Sequence, residues 1–96
     1  MMEKLLHFLL VTPRGIAYET DCREVRLVAA DDAQGRGGGS IGIRFGHMET
    51  VVVLQPGKPV QALGGEAPFS AVTGGGVARV RSNTVTVLAE SAEILK

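Results

Sequence analysis

Apolar and polar positions alternate most clearly near the end of the chain. Residues 77–81 and 84–88 each alternate with a period of two, and Ser82 and Asn83 between them favour a tight turn. In the second run the valines face one way and the threonines the other, so one face can be buried. This pattern predicts a β-hairpin. Residues 69–73, which three glycines join to the hairpin, predict a further strand that completes a three-stranded meander.

The rest of the chain consists of similar short segments separated by glycine or proline. Residues 5–12 are apolar at odd and even positions alike, except at His7. This pattern predicts a strand covered on both faces. Residues 23–29 alternate and predict a half-buried strand, whereas residues 49–55, with their dense β-branched run, predict a central one. With about nine strand candidates, the chain is predicted to be all-β, a two-layer antiparallel β-sandwich or flattened barrel of about nine to ten short strands.

Size and charge narrow the classes of function. The 96 residues suffice for one domain, and ten basic side chains balance ten acidic ones, so nothing electrostatic favours a nucleic acid or an anionic membrane. The longest apolar stretch, residues 5–11, is far shorter than the ~20 residues of a membrane helix, which argues against direct membrane insertion. The single Cys22 cannot form an internal disulfide, and we expect it to be a small buried residue in a reduced, cytosolic protein.

Candidate chemistry along the chain is sparse. Residues 31–42 are polar and glycine-rich, which predicts a surface loop, and residues 37–42 match the dinucleotide pattern G-x-G-x-x-G. No helical pattern follows that motif, so it does not predict a nucleotide site. His47 and Glu49 share a face of any strand they form, but two ligands do not make a metal site. We therefore expect no cofactor, no metal and no catalysis by this chain alone.

Two further groups of side chains have ordinary structural interpretations. His7 lies in an apolar segment and is expected to be a core or edge histidine whose polar atoms are satisfied. Arg26, Arg79 and Arg81 could form an exposed basic face, although outward charges on strands usually serve solubility and the protection of sheet edges.

Several motifs resemble those of one known family. Residues 69–75 (Phe-x-Ala-Val-Thr-Gly-Gly), 77–80 (Val-Ala-Arg-Val) and 83–89 (Asn-x-Val-Thr-Val-Leu-Ala) are similar to the signature of the epsilon subunit of rotary F-type ATP synthases. Residues 39–47 resemble the family's Gly-x-[Phe/Leu]-Gly-Ile-x-Pro-Gly-His, and residues 54–57 resemble its Leu-x-Pro-Gly. The resemblance implies the family's N-terminal β-sandwich of about ten strands.

The resemblance also implies a function and partners. In that family the sandwich is a non-catalytic part of the central stalk. It binds the gamma subunit, rests on the loops of the membrane c-ring, and helps couple ion flow to ATP synthesis at the cytoplasmic face of the membrane. The positions that face the ring correspond here to Ser40, Ile41 and His47, in two adjoining loops. This chain departs from the family at two of the matched positions. It has Ser40 where the family usually has an acidic residue, and Phe45 where the family has a proline.

The end of the chain carries a further expectation. Residues 1–89 are expected to form the epsilon-type sandwich, and residues 90–96 a short tail of one or two helical turns. Family members often continue into a C-terminal helical hairpin that inhibits hydrolysis and in some binds ATP. If the sequence is complete, we expect that role to be absent. A short chain of this kind resembles the epsilon subunits of alternate F-type ATPases.

One alternative function remains open from the sequence. A stand-alone β-domain could hold a small anion through backbone N–H groups in the loops of residues 31–47. Stabilisation by phosphate or nucleotides without any protein partner would favour that alternative, whereas co-purification with a gamma subunit would favour the coupling subunit.

Overall fold

A computed structural model of the chain describes residues 4–31 and 38–95. The regular secondary structure of these residues consists entirely of β-strands. The predicted all-β fold class is therefore confirmed. The strands are β1 (Leu6–Thr12), β2 (Gly15–Cys22), β3 (Glu24–Ala29), β4 (Gly39–Arg44), β5 (Thr50–Leu54), β6 (Pro59–Leu63), β7 (Phe69–Thr73), β8 (Gly76–Arg81), β9 (Thr84–Ala89) and β10 (Ala92–Leu95).

The strands form one continuous path that bends into two layers. Its order is β10-β7-β6-β3-β5-β8-β9-β1-β2, with β4 paired to β3. The bend lies between β3 and β5, which share only the residue pair Ala29 and Leu54. We call β4, β3, β6, β7 and β10 the first layer, and β5, β8, β9, β1 and β2 the second layer. All pairs are antiparallel except β1 with β9.

The core lies between the inner faces of the two layers. Phe8 is fully buried on β1, and its ring centroid lies 5.8 Å from that of Phe69 on β7. Tyr18 on β2, also in the second layer, stacks against the same Phe69 ring, with ring centroids 3.8 Å apart. Cys22 is fully buried, as expected, and burial raises the pKa of its thiol. These ring contacts link β7 of the first layer to β1 and β2 of the second layer. Aromatic side chains bury large areas, so the contacts contribute strongly to the core.

The predicted hairpin is confirmed in detail. Ser82 and Asn83 have φ angles of 49° and 59°, so both turn residues adopt the left-handed conformation typical of a type I′ turn. Val85 and Val87 are fully buried on β9, whereas Thr84 and Thr86, which alternate with them, are only partly buried. Local alternation and turn chemistry therefore agree with the register of β8 against β9.

The predicted three-stranded meander is wrong. β7 pairs with β6 and β10 in the first layer, whereas β8 pairs with β5 and β9 in the second. The glycines between β7 and β8 carry the chain from one layer to the other. Gly75 and Gly76 have φ angles of 106° and 141°, which redirect the backbone instead of returning it alongside β7.

Two further expectations, on how many faces of β5 and β1 are covered, are corrected by the structure. The valine-rich strand β5 is covered on one face only, because Val51 and Val53 are 64% and 59% exposed on the other. β1 is likewise buried on one face and only half-buried on its outer face. No third layer covers these outer faces within the described residues.

The predicted surface loop at residues 31–42 is shorter than expected. Gly39–Arg44 forms β4 on the edge of β3, which includes the last residues of the glycine motif, while residues 32–37 lie outside the described part of the chain. Ile43 is fully buried in this strand, and Ile41 occupies the same face and packs against the core.

The expected helical turns at the end of the chain do not form. Ala92–Leu95 is strand β10, in which Ala92 lies opposite Thr73 and packs against the core. A helix of this length is unstable in water, whereas pairing with β7 satisfies the backbone groups of both strands. The segment predicted to be a tail thus contributes a strand to the first layer.

Candidate interaction surface

A line of apolar side chains crosses the outer face of the second layer. Val53 on β5 lies opposite Val77 on β8, and Val77 lies opposite Leu88 on β9. Leu88 is then in register with Val11 on β1, which lies opposite Ile16 on β2. Directly paired residues share a face of a sheet, so these five side chains form one row across five strands. We call them the apolar row.

The apolar row is open to solvent. Ile16, Val53 and Leu88 are 62%, 59% and 47% exposed, and the other two members are half-buried. Val51, which is also exposed, lies on the same face two residues from Val53. Single exposed apolar residues are ordinary, but a line of them about 19 Å long at normal strand spacing is typical of a surface that contacts another protein.

The opposite end of the same face is charged. The Nε of Arg81 lies 3.9 Å from Oε1 of Glu49, and Arg81 is opposite Thr84. Thr84 is in register with His7, which lies opposite Asp21 on β2. The outer face of the second layer therefore changes from apolar to charged along the strands, a combination that provides both burial and specificity in protein interfaces.

The outer face of the first layer has a different character. Arg26 lies opposite Gln61, and Gln61 lies opposite Ser70, so its middle row is polar. Glu24 accepts hydrogen bonds from the Nε atoms of Arg26 and Arg44, and these bonds lower the pKa of the Glu24 carboxyl. This comparison favours the second layer as the candidate interaction surface.

The possible basic face of Arg26, Arg79 and Arg81 is not formed. Arg26 is on the first layer, where it pairs with Glu24, whereas Arg79 and Arg81 are on β8 in the second layer. The three residues separate because β3 and β8 lie on different sides of the bend in the sheet path.

Ser40 and Ile41, two of the positions that resemble the family's ring-facing residues, lie in strand β4. Ser40 is exposed opposite Val28 on the outer face, whereas Ile41 lies opposite the buried Leu27 and packs against the core. The side chains of neighbouring strand residues point to opposite faces, so these two do not form a common contact surface.

His47, the third such position, follows the other end of β4. Its backbone N–H donates to the Arg44 carbonyl over 3.1 Å. Arg44 is four strand residues from Ser40, a separation of roughly 13 Å at the normal rise of a strand. The structure therefore does not bring His47 together with Ser40 and Ile41.

The turn that contains His47 is attached to the β8–β9 turn. The Gly46 N–H donates to Oδ1 of Asn83 over 2.7 Å, and the Asn83 carbonyl accepts a bond from the His7 N–H over 2.9 Å. We call residues 45–48 together with Ser82 and Asn83 the tip. Phe45 is 45% exposed and Met48 78% exposed there, which gives the tip an apolar surface that the sequence analysis did not single out.

Asn83 is expected to stabilise the tip through its side chain. The Asn83→Gly variant retains a residue that tolerates positive φ but loses the bond to Gly46, and we expect it to lower the free energy of unfolding by about 1 kcal/mol. Urea unfolding measures this difference. Ser82→Gly is the matched control, because it alters the same turn and keeps the amide; a loss in the control as large as that in Asn83→Gly would contradict the assigned role.

Metal and membrane chemistry receive no support from the part of the chain that the structure describes. In residues 4–31 and 38–95, no three or more His, Cys, Asp or Glu side chains are grouped so that they could bind a metal ion. His47 and Glu49 have separate partners, since Nδ1 of His47 lies 2.8 Å from the Met48 carbonyl and Glu49 is near Arg81. These residues also include no helix long and apolar enough to cross a membrane.

Comparisons with known proteins agree on one family. Residues 5–95 match the family described as "ATP synthase, Delta/Epsilon chain, beta-sandwich domain". The ATP synthase epsilon chain of Bacillus subtilis (strain 168) is 37% identical over 84 residues, which cover 88% of this chain and 58% of that relative. The epsilon chain of Priestia megaterium is 38% identical over 90 residues, or 94% of this chain and 61% of the relative.

Solved structures share the fold. A chain of the Euglena gracilis mitochondrial ATP synthase, from a structure of its OSCP, F1 and c-ring, has a TM-score of 0.75 at 18% identity and covers 98% of this chain and 56% of that chain. A chain of the Tetrahymena thermophila mitochondrial ATP synthase central stalk and c-ring has a TM-score of 0.68 at 17% identity, covering 95% of this chain and 66% of that one. This chain spans about three fifths of the length of the two relatives above. On the strength of the family match and the relatives' identity, it belongs to the family of ATP synthase delta/epsilon chains and comprises the β-sandwich domain of that family.

Proposed function

We propose that this chain is a non-catalytic central-stalk subunit of a rotary F-type ATP synthase. In this role it binds the gamma subunit and couples it to the membrane c-ring during ion-driven ATP synthesis. Family membership supports the proposal, as does the close-packed core that joins both layers. Tightly packed interiors resist deformation, so a small sandwich can transmit force between rotor parts without changing shape.

The apolar row is the observation on which the proposal most depends. Its exposed members, Ile16, Val53 and Leu88, leave about half of their apolar side chains in contact with solvent. Because each is only about half exposed, burying the rest of its side chain in an interface contributes roughly 1–1.5 kcal/mol. We assign gamma binding to the outer face of the second layer, with the charged end of the face setting the orientation of the partner.

By the resemblance, contacts with the c-ring are proposed at Ser40, Ile41 and His47, as separate contacts because these residues do not share one surface. Among these, His47 belongs to the tip, where the exposed Phe45 and Met48 add apolar surface next to it. The subunit would then be peripheral, on the cytoplasmic face of the membrane, and held there by its protein partners.

Co-expression with the gamma subunit encoded in the same genome tests the proposal. We expect the two chains to co-purify as a stable complex with an interface of standard size, roughly 1,600 Å² in total. For comparison, the melting temperature of the isolated chain is measured with and without phosphate or nucleotides. Failure to bind gamma, combined with stabilisation by an anion alone, would support the stand-alone binding domain instead.

A further inference from the structure

His7 lies between two carboxylates on the outer face of the second layer. Its Nδ1 is 2.8 Å from Oδ1 of Asp21, and its Nε2 is 2.5 Å from Oε2 of Glu19. Ionised carboxylates only accept hydrogen bonds, so both ring nitrogens must carry a proton for both bonds to form. The geometry is therefore that of an imidazolium ion held by two carboxylates. We call these three side chains the His7 cluster.

The His7 cluster joins an edge strand to the rest of the sheet. Among the strands of residues 4–31 and 38–95, β2 ends the path and pairs only with β1, on which His7 lies. The pairing of these strands is irregular between Leu10 and Val11. Glu19 and Asp21 are two residues apart and share a face of β2, so their negative charges repel each other unless a cation lies between them.

We propose that the His7 cluster is a proton-dependent fastening of β2: the imidazolium helps to hold residues 19–22 of β2 against β1, and loss of its proton weakens this hold. Neutral imidazole can donate to only one of the two carboxylates. The cluster then changes from one net negative charge to two, and Glu19 and Asp21 repel each other without compensation. The ladder of β2 against β1 remains but opens more readily at this end.

The charged groups around His7 support this assignment. From β2 only Glu19 and Asp21 face it, and from β9 its neighbour in register is the uncharged Thr84. Beyond Thr84 lies Arg81 on β8, which is near Glu49. The protonation of His7 therefore depends mainly on the two carboxylates of β2.

The pH dependence has a definite sign. Hydrogen bonds with Asp21 and then Glu19 raise the pKa of His7 above its ordinary value of 6.5, against a smaller opposing effect of burial. A raised pKa in the folded state means that the stabilisation is fully present below pH 6.5 and is lost as the pH rises through the folded pKa.

The His7 cluster lies on the face assigned to gamma binding, because Glu19 is in register with Leu9 next to the apolar row. On the condition that the proposed function holds, an additional negative charge and a loosened β2 would change the docking surface as the pH rises. The fastening itself does not depend on any partner and can be tested on the isolated chain.

Amide hydrogen exchange on the isolated full chain tests the fastening directly. We expect the protection factors of those amides in residues 19–22 that bond to β1 to fall several-fold between pH 5.5 and 8.5, after correction for intrinsic exchange, while those of β8 stay the same. In His7→Gln, which cannot be charged, the low protection should be present at both pH values. In Asp21→Asn, NMR titration should show that the pKa of His7 has decreased.

The outcomes separate this inference from the proposed function. Equal protection at both pH values in the unmodified chain would overturn the fastening, as would an unchanged pH response in His7→Gln. Because no gamma subunit is present, neither result bears on gamma binding. The His47 resonance of the same samples serves as the control for general effects of each variant.

Discussion

A lysine at position 53 or 88 is expected to weaken binding of the gamma subunit by about 100-fold or more while the sandwich stays folded. Val53 and Leu88 are 59% and 47% exposed, so a lysine at either position remains in water in the isolated chain. In the complex the same ammonium group would be buried in the apolar row without a partner. An unpaired buried charge costs at least about 3 kcal/mol, which corresponds to the stated change in Kd.

The matched control is Val72→Lys. Val72 lies on the outer face of the first layer directly opposite Glu93, so a lysine there gains a carboxylate partner and adds the same charge away from the proposed interface. Titration calorimetry with purified gamma measures all three variants. The assignment of the face would be wrong if Val72→Lys reduced affinity as strongly as Val53→Lys or Leu88→Lys.

Gly76→Ala is expected to lower the free energy of unfolding by about 3 kcal/mol. A Cβ atom at this position would lie 2.0 Å from the Leu88 carbonyl oxygen and 2.9 Å from the Ala89 Cα, both in the backbone of the neighbouring strand. The φ angle of 141° is also unfavourable for alanine. The estimate combines a cost of roughly 1–2 kcal/mol for the backbone conformation with a similar cost for displacing β9.

Gly57→Ala separates these two causes. Gly57 also has a positive φ of 79°, but nothing lies within 4 Å of a Cβ atom there. Urea unfolding should show a loss of about 1 kcal/mol in this control and a clearly larger loss in Gly76→Ala. Equal losses would mean that the close approach of β8 and β9 at Gly76 has no energetic consequence.

Most strands could be predicted from the sequence, whereas the pairing between strands was harder to predict. The buried face of β9, with Val85 and Val87, follows from alternation within six residues, and the Ser82-Asn83 turn fixes the register of the hairpin. The placement of β7 depends instead on contacts with β6 and β10, which are distant in sequence. Glycines mark the change of direction after β7, but they do not specify which layer the next strand joins.

The candidate surface was less predictable than the fold. Its five members come from five strands and from positions as far apart as Val11 and Leu88, so their proximity depends on the register of four strand pairs. One local signal was available. Leu88 shares the parity of Thr84 and Thr86, which makes it an apolar residue on an otherwise polar face. The resemblance singled out Ser40, Ile41 and His47. That the side chains of Ser40 and Ile41 point to opposite faces follows only from the pairing of β4 with β3.

The most direct test of the central claim, that gamma binds the outer face of the second layer, is hydroxyl-radical footprinting of the chain alone and in complex with gamma. We predict that binding strongly reduces oxidation of Ile16, Val53 and Leu88. Leu95, which is 46% exposed on the first layer, should remain as reactive as in the isolated chain. Protection of Leu95 with no change along the apolar row would contradict the account.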